Sequence, residues 1–355
     1  MESRISSVLT DPRLRREIAE AEVAPSISAR AGARAFIGED LHGLSPGEEA
    51  VVLLTGRPSL LVRKNRFELP RSGSWADILS ARRDIIEARL PSIGRIEVDD
   101  GAGYRHCGTG WVIAERVIAT NRHVAEAFAR KDGAGGRFLK SFLGSDMAAR
   151  IDFREEYQGG DAFEVDVQEI IFLEDVDRAL PDIAFLKLAA HGNLPPPIPV
   201  LSTPLQPGAS LAVVGYPAFD PRYGLDATEA AKAIFGTIYD VKRLSPGCVM
   251  SVSSRTWAFA HDATTLGGNS GSPVLDVDTG YAVGMHFLGD FRRANYAVNA
   301  STLLDKALAN SVFALSREPL PPAVPKPEVE APEAGEEAPA DNLANRTGYD
   351  TKFLG

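Results

Sequence analysis

The chain contains 355 residues, of which 44% are hydrophobic, and its formal net charge is −10. This composition predicts a globular protein that is long enough for two hydrophobic cores. No stretch approaches the roughly 18 consecutive apolar residues of a membrane span, and the opening Met1-Glu2-Ser3-Arg4 leads into no secretory signal. The two cysteines, Cys107 and Cys248, suggest no disulfide framework, and the six histidines show no metal-ligand spacing. We therefore expect a cytoplasmic protein that needs neither a metal nor another cofactor.

The negative charge is concentrated near the end of the chain, where acidic residues are mixed with prolines between Glu318 and Asp341. Residues 316–355 are therefore predicted to form an extended, solvated linker. The charge of the remaining chain is nearly balanced, so we expect neither direct nucleic-acid binding nor a membrane partner.

The first residues divide into two segments. Residues 1–45 are polar, with one helical candidate from Pro12 to Val23, and carry no recognisable chemistry. In residues 46–95, the apolar runs Ala50–Leu54 and Ser59–Val62 are joined by a Gly-Arg-Pro turn, which predicts a hairpin. A helix from Trp75 to Leu90, capped by the serine before it, is predicted next. Because such a short segment makes a poor independent core, we expect the hairpin and helix to pack against the following domain.

The pattern of residues 96–315 predicts an all-β domain, closed by a helix from Ser301 to Leu315 that is capped near Asn299 or Ser301. Short strands at this spacing predict a barrel or sandwich rather than a parallel sheet. The predicted strands are Gly108–Ile113, Val117–Thr120, Val165–Phe172, Ile183–Leu188, Leu211–Gly215, Ile234–Val241, Val274–Asp276 and Ala282–Met285.

The most informative stretch is Thr264-Thr265-Leu266-Gly267-Gly268-Asn269-Ser270-Gly271-Ser272-Pro273-Val274. Its glycines allow backbone torsions that other residues avoid, so the bend can hold the Ser270 hydroxyl outward. The backbone N–H groups of Gly268 and Ser270 can then converge on the position of a developing oxyanion. Taken alone, the stretch is equally compatible with a glycine-rich hairpin turn.

Ser270 forms a chemically meaningful set with His123 and Asp182. A serine hydroxyl is a weak nucleophile until an imidazole takes its proton, and that imidazole needs a carboxylate to hold its tautomer. Singly, a histidine at a strand end is more often a hydrogen-bonded core residue, and an aspartate that opens a strand is commonly a turn cap. Together, in the order His, Asp, Ser, they indicate nucleophilic catalysis.

Two alternatives compete with this set. The α/β-hydrolase elbow is excluded, because it needs Gly-x-Ser-x-Gly and the order Ser, Asp, His, whereas Ser272 occupies the place of its second glycine. Other nearby aspartates do not open an apolar strand as Asp182 does; they are Asp161, Asp166, Asp175 and Asp177.

These motifs resemble those of the chymotrypsin-like (trypsin-fold) serine peptidases, in the bacterial branch that is similar to the glutamyl endopeptidases. The resemblance covers about residues 96–310 and rests on Gly108-Thr109-Gly110-Trp111, Asn121-Arg122-His123-Val124, Asp182-Ile183-Ala184-Phe185, Gly267-Gly268-Asn269-Ser270-Gly271-Ser272-Pro273 and Val283-Gly284-Met285-His286-Phe287. It implies two six-stranded antiparallel barrels, with His123 and Asp182 from the first barrel and Ser270 from the second. It also implies a serine endopeptidase acting on protein or peptide substrates, with Gly268 and Ser270 forming the oxyanion hole.

In the glutamyl endopeptidases, the residue before the scissile bond is read by a threonine five positions before the serine and by a histidine on the following strand. The corresponding residues are Thr265 and His286. Both side chains can donate to a carboxylate or amide oxygen, so the resemblance implies cleavage after Glu, with Asp or Gln less favoured. The alternative is that Thr265 and His286 only support the barrel.

The sequence departs from the pancreatic members of this family at Asn269. Those enzymes mature when a new N-terminal amine pairs with an aspartate at this position, and an asparagine offers no charge to pair. Control would then come from residues 46–95 or from another protein. The simpler interpretation, which we favour, is that residues 46–95 merely cover an apolar barrel face.

The last residues, Gly348-Tyr349-Asp350-Thr351-Lys352-Phe353-Leu354-Gly355, resemble the opening of bacterial DNA/RNA non-specific endonuclease domains, although an unstructured tail is an equal alternative. A downstream nuclease is thus a candidate partner. The glutamates of the linker lead to the hypothesis that the enzyme cuts itself between about 328 and 341. The competing function is a non-catalytic trypsin-fold binding module that tethers a nuclease or sensor.

Overall fold

The computed structural model describes residues 57–70, 73–177, 179–219, 231–232, 234–253, 256–290 and 294–315. The helical candidate Pro12–Val23, the apolar run Ala50–Leu54 and the linker 316–355 lie outside these residues.

The first half of the described chain forms a closed six-stranded antiparallel barrel in the order β10-β5-β4-β3-β8-β9, which closes through pairing of β9 with β10. Two further strands, β7 and β6, extend from β9. The strands are β3 (Ile93–Asp99), β4 (Tyr104–Ala114), β5 (Val117–Thr120), β6 (Ala129–Asp132), β7 (Gly135–Phe138), β8 (Ala148–Asp152), β9 (Glu164–Leu173) and β10 (Ala184–Leu188).

The second half forms another closed six-stranded antiparallel barrel, in the order β11-β14-β15-β16-β13-β12, which closes through β11 and β12. A short hairpin, β1 (Leu60–Arg63) and β2 (Arg66–Phe67), extends this sheet from β12. The double-barrel fold implied by the family resemblance is therefore confirmed. The strands are β11 (Ser210–Gly215), β12 (Arg243–Val252), β13 (Ala258–His261), β14 (Pro273–Asp276), β15 (Ala282–Asp290) and β16 (Ala294–Asn299).

Helices are short, and within the described ranges none combines the length and apolar character needed to cross a bilayer. They are α1 (Ser74–Ala81), α2 (Arg83–Glu87), α3 (Arg122–Ala125) and α4 (Ala300–Ala309), with 3-10 turns at Leu90–Ser92 and Val312–Leu315.

Both predicted long helices are shorter than expected. The first divides at Arg82, whose φ of −115° is not helical, and its N-cap is Gly73 rather than the following serine. Leu79 and Ile86, now on two separate helices, are both fully buried. Of the two residues predicted to cap α4, Asn299 is the cap, because its side chain accepts a hydrogen bond from the Thr302 amide.

The predicted strand Ile234–Val241 is wrong. Gly236 has a φ of +66° and its amide donates to the Lys232 carbonyl at 2.9 Å, which closes a helical turn instead. The β-branched residues of this stretch had suggested a strand. The true strand, β12, contains Pro246 and Gly247, which locally resemble a chain break.

The joint behind the two barrels contains a fully buried lysine, Lys242. Its Nζ donates to the carbonyl oxygens of Leu90 at 2.9 Å and Phe153 at 2.8 Å, and to the Glu156 carboxylate at 3.3 Å. Burial lowers the pKa of Lys242 to about 8, and the nearby Glu156 charge only partly opposes this shift. One side chain therefore ties both barrels to the segment that precedes them.

We predict that Lys242→Met lowers the free energy of unfolding by about 3–5 kcal/mol, because it leaves the Glu156 charge buried without its partner. Adding Glu156→Gln should recover part of that loss. Folding lowers the pKa of Lys242 to about 8, below the unfolded value of about 10.4. Keeping this lysine protonated therefore reduces the free energy of unfolding at neutral pH, and this loss becomes smaller as pH rises from about 8 to about 10.4. Wild type should therefore gain more stability than Lys242→Met between pH 7 and pH 10 in urea titrations. Equal pH profiles would contradict this account.

Candidate active site

Strand pairing in the first barrel brings His123 and Asp182 together. Strands β5 and β10 are antiparallel neighbours, with Ala184 opposite Thr120. The chain leaves β5 through Asn121 into the single turn α3, and it enters β10 through Asp182. The residues just beyond Thr120 and just before Ala184 therefore meet at the same end of the barrel.

The Asp182 carboxylate binds both the ring and the backbone of His123. Nδ1 of His123 lies 2.5 Å from one carboxylate oxygen, and the His123 backbone amide donates to the other at 3.1 Å. The Asn121 side chain donates to the Asp182 carbonyl at 2.9 Å. Because an ionised carboxylate can only accept, Nδ1 carries the proton and Nε2 is left as the basic nitrogen.

The charge state of Asp182 follows from its surroundings. Burial raises the pKa of this carboxyl, but the facing His123 ring and the Arg122 guanidinium, 4.0 Å away, outweigh burial and leave the pKa below its ordinary value. Asp182 is therefore an anion at neutral pH, suited to stabilising a positive charge on His123.

Ser270 lies in a tight loop before β14. The loop consists of two successive turns, in which the Asn269 amide donates to the Leu266 carbonyl at 3.1 Å and the Ser272 amide donates to the Asn269 carbonyl at 2.9 Å. Gly268 and Gly271, on either side, have φ values of +86° and +88°. Only glycine adopts such torsions without strain, so the glycines predicted to shape this bend do so.

Strand β4 of the first barrel touches both halves of the site. The Thr109 amide donates to the Ser270 carbonyl at 2.8 Å. A Cβ on Gly108 would lie 2.6 Å from the Val124 side chain and 3.2 Å from the Ser270 carbonyl oxygen. Val124 directly follows His123, so Gly108 is a close contact for the histidine turn and for the serine loop alike.

The loop carbonyls that precede Ser270 are fixed by neighbours. The Ala218 amide donates to the Gly267 carbonyl at 2.5 Å, and the Thr109 hydroxyl donates to the Gly268 carbonyl at 2.7 Å. Because a trans peptide points its N–H opposite its C=O, the Gly268 N–H is directed away from Ala218. A Cβ on Gly268 would lie 2.6 Å from the His106 ring, so the loop packs closely against His106 on this side.

Thr265 and His286 both lie in the second barrel and both are fully buried. The His286 backbone is bonded to the serine loop, since its amide donates to Ser272 and its carbonyl accepts from Gly271, each at 2.9 Å. Behind its ring lies a second fully buried histidine, with His261 Nε2 at 3.3 Å from His286 Nδ1.

Both buried histidines are uncharged at neutral pH. Burial lowers the pKa of His261 to about 3, although the Asp262 charge partly opposes the shift. Burial, followed by the influence of His261 and His123, holds the pKa of His286 well below its ordinary value, with the Tyr296 carbonyl opposing. Among the described residues, the outer ring nitrogens, His261 Nδ1 and His286 Nε2, have no partner at hydrogen-bond geometry, so the Tyr296 carbonyl acts on His286 without completing a well-formed hydrogen bond to Nε2.

The sequence interpretation overlooked several residues that surround the site. Asn121 and Thr109 lie inside the motifs that carry the family resemblance. Their hydrogen-bonding side chains could therefore have been predicted from the sequence to support the site. His106 and His261 gave no such signal, because their partners, Asp240 and His286, are distant in sequence and are brought near only by the tertiary fold. In the described part of the chain, no group of three or more His, Cys, Asp or Glu residues is arranged to hold a metal ion.

The sequence profile of the trypsin-like peptidase domain matches residues 108–285, which include His123, Asp182 and Ser270. The chain therefore belongs to the trypsin-like peptidase family. A probable serine protease from Lysobacter enzymogenes is 30% identical over 279 residues, which cover 71% of this chain and 72% of that protein.

Among solved structures, that of Deg5 aligns with 21% identity over 66% of this chain and 95% of the other, with a TM-score of 0.45. The inactive form of a serine-to-alanine mutant of Rv3671c from M. tuberculosis H37Rv aligns with 17% identity over 69% of this chain and 97% of the other, with a TM-score of 0.40.

We predict that Gly271→Ala destabilises the protein by more than about 4 kcal/mol, because the new methyl would lie 2.1 Å from the Thr109 carbonyl oxygen and 2.5 Å from the Thr120 hydroxyl. Gly144 is a matched control, since its φ is +87° and nothing lies within 4 Å of its Cβ position. Gly144→Ala should cost only about 1–2 kcal/mol of torsional strain. Thermal unfolding of both variants measures the difference, and equal losses would refute the close packing.

Proposed function

We propose that this chain is a serine endopeptidase in which Ser270, His123 and Asp182 form the catalytic triad. The observation that carries the proposal is the hydrogen bond from His123 Nδ1 to the buried Asp182 carboxylate, beside a glycine-shaped loop that carries a serine. Membership of the trypsin-like peptidase family supports the same chemistry.

In the proposed reaction, Ser270 Oγ attacks the peptide carbonyl carbon while its proton passes to His123 Nε2. The C–N bond then breaks, and His123 returns that proton to the departing amine, leaving an ester on Ser270. Water, activated by His123 in the same way, hydrolyses the ester. Asp182 stabilises the imidazolium at each step without being protonated itself.

The oxyanion formed in each half-reaction needs fixed donors. We assign this role to the backbone N–H groups of Gly268 and Ser270. The bonds that hold the Gly267 and Asn269 carbonyls orient these two N–H groups before substrate binds, because each carbonyl shares a peptide unit with one of them. Each preorganised donor of this kind supplies about 3 kcal/mol of transition-state stabilisation.

The rival function is a binding module on the same fold without catalysis. It does not account for the cost of keeping the Asp182 anion buried next to a half-exposed histidine. A module would gain stability by replacing this pair with apolar residues.

We further propose that Thr265 and His286, the specificity pair, read a glutamate before the scissile bond, with Asp or Gln less favoured. A neutral histidine that donates from Nε2 must accept at Nδ1. His261 Nε2 lies at that Nδ1 position and can donate to it. The unpartnered Nε2 of His286 would then donate to the substrate carboxylate, whose charge would in turn favour protonation of the ring.

The specificity pair is closed to solvent in this structure. Reading a substrate side chain therefore requires neighbouring side chains to move apart on binding. This movement is favoured by the new hydrogen bond, because His286 Nε2 is otherwise buried without a partner and burial of an unsatisfied donor costs about 1–3 kcal/mol.

The linker supplies a candidate substrate within the same chain. It contains Glu330, Glu333, Glu336 and Glu337, each followed by alanine or glutamate. A cleavage site tethered to the enzyme has a roughly millimolar effective concentration, provided that it reaches the active site. We therefore propose self-cleavage between about 328 and 341, in the cytoplasm, which would release a nuclease if one follows.

The triad assignment predicts that Ser270→Ala and His123→Ala each lower peptide turnover by about 10⁴- to 10⁶-fold, and that the double variant is no worse than either. The reason is that neither residue activates the reaction without the other. Turnover of a quenched peptide library followed by mass spectrometry measures this. Wild-type rates in purified Ser270→Ala would rule out the mechanism.

The specificity assignment predicts that wild type cleaves peptides after Glu at least about 10-fold better than after Leu, and that His286→Ala and Thr265→Val reduce this ratio. Matched fluorogenic peptides that differ only at this residue give the ratio. A preference for basic or aromatic residues in wild type, or an unchanged ratio in His286→Ala, would contradict it.

The linker assignment predicts that purified wild-type chain loses its C-terminal segment while Ser270→Ala keeps it, because the cut needs the active serine. Intact-mass measurement locates the cut, and Glu-to-Gln changes at the linker glutamates should slow it. An unclipped wild type that still cleaves an added peptide would exclude self-cleavage. Cell fractionation with detection only outside the cytoplasm would exclude the proposed compartment.

A further inference from the structure

The segment that precedes the barrels contacts the second barrel through more than apolar packing. Leu60, Val62, Trp75 and Leu79 join a hydrophobic core that also contains residues of both barrels. In addition, Arg57 makes specific polar contacts with the stretch from His261 to Thr265. This stretch, which we call the pocket wall, runs from the end of β13 to the serine loop.

Arg57 contacts two points of the pocket wall. Its guanidinium Nη2 donates to the Asp262 carboxylate at 2.6 Å, and its backbone carbonyl accepts a hydrogen bond from the Thr264 hydroxyl at 3.0 Å. Asp262 directly follows His261, and Thr264 directly precedes Thr265. His261 and Thr265 are the residues of the pocket wall that take part in the proposed specificity. Each is therefore adjacent in sequence to a residue that is hydrogen-bonded to Arg57.

The ion pair is itself well held. The other oxygen of Asp262 accepts the Cys248 amide of β12 at 2.6 Å, and the Asp262 amide donates to the Cys248 carbonyl at 3.2 Å. The Arg57 guanidinium lies 5.3 Å from the centre of the Trp75 ring, which gives it a second favourable contact. With side chains only 21% and 10% exposed, the pair is weakly screened by solvent.

Resting on the proposed function, we propose that Arg57 is a positioning residue for the specificity pocket. Its two bonds hold the pocket wall in place, so that His261 stays against His286 and Thr265 stays beside the serine loop. The preceding segment is then a working part of the site, and detaching it at Arg57 would weaken side-chain recognition while leaving the triad intact.

Another ion pair provides a matched control. Arg82, at the end of α1, donates to Asp278 at 2.9 Å, and Asp278 lies in the turn between β14 and β15. It also ties the preceding segment to the second barrel, but it makes no contact with the pocket wall. A variant of Arg82 therefore loosens the same segment elsewhere.

The test compares wild type with Arg57→Ala, Arg57→Lys and Arg82→Ala. For peptides with Glu before the scissile bond, Arg57→Ala should raise KM and lower the Glu-to-Leu ratio by at least about 5-fold, the lower end of typical couplings between sites. The rate of Ser270 labelling by a fluorophosphonate should stay near wild type. Arg57→Lys should recover much of the ratio, and Arg82→Ala should change neither quantity.

Hydrogen exchange provides a readout that does not need catalysis. The amides of residues 261–266 should exchange faster in Arg57→Ala but not in Arg82→Ala. Unchanged exchange, an unchanged Glu-to-Leu ratio, or equal effects in the two alanine variants would overturn the proposal. If wild type cleaves no peptide, the proposed function fails, yet faster wall exchange in Arg57→Ala alone would still support the role of Arg57. If Arg57→Ala does not fold, Arg57→Gln replaces it in both measurements.

Discussion

The hydrogen bond between His123 and Asp182 is the interaction on which the site depends. Its carboxylate is buried, yet two hydrogen bonds from His123 and the Arg122 charge keep its pKa low. An unpaired anion in this position would be too costly to bury. The pairing of β5 with β10 delivers both residues to the same barrel end, so the fold itself determines which tautomer His123 adopts.

Strand β4 connects this pair to the second barrel. The Thr109 amide and hydroxyl bind the carbonyls of Ser270 and Gly268, so one residue of the first barrel positions the serine loop of the other. Gly108 and Gly271 are needed because backbone and side chains approach them too closely for a Cβ. Geometry across the cleft is therefore set by backbone contacts, and the buried Lys242 reinforces the joint behind it.

Much of this arrangement was predictable from sequence, because the chemistry of an activated serine requires particular residue types in a particular order. The double barrel followed from the motifs around His123, Asp182 and Ser270, although the roles of these residues remain proposals. Local pattern failed where distant contacts decide. Gly236 turns a β-branched run into a helical turn, and Pro246 lies inside a true strand opposite Ala212. The contacts of His261 and Arg57 were also invisible, since their partners are brought near only by the tertiary fold.

The central claim is that peptide hydrolysis passes through an ester on Ser270. The most direct test mixes the wild-type chain with a cleavable peptide, quenches with acid within the first turnovers and maps the protein by mass spectrometry. Our account predicts that the N-terminal part of the peptide is found attached to Ser270, and that the adduct disappears in Ser270→Ala. Peptide cleavage without an adduct in repeated early quenches, or an adduct on another residue, would contradict it.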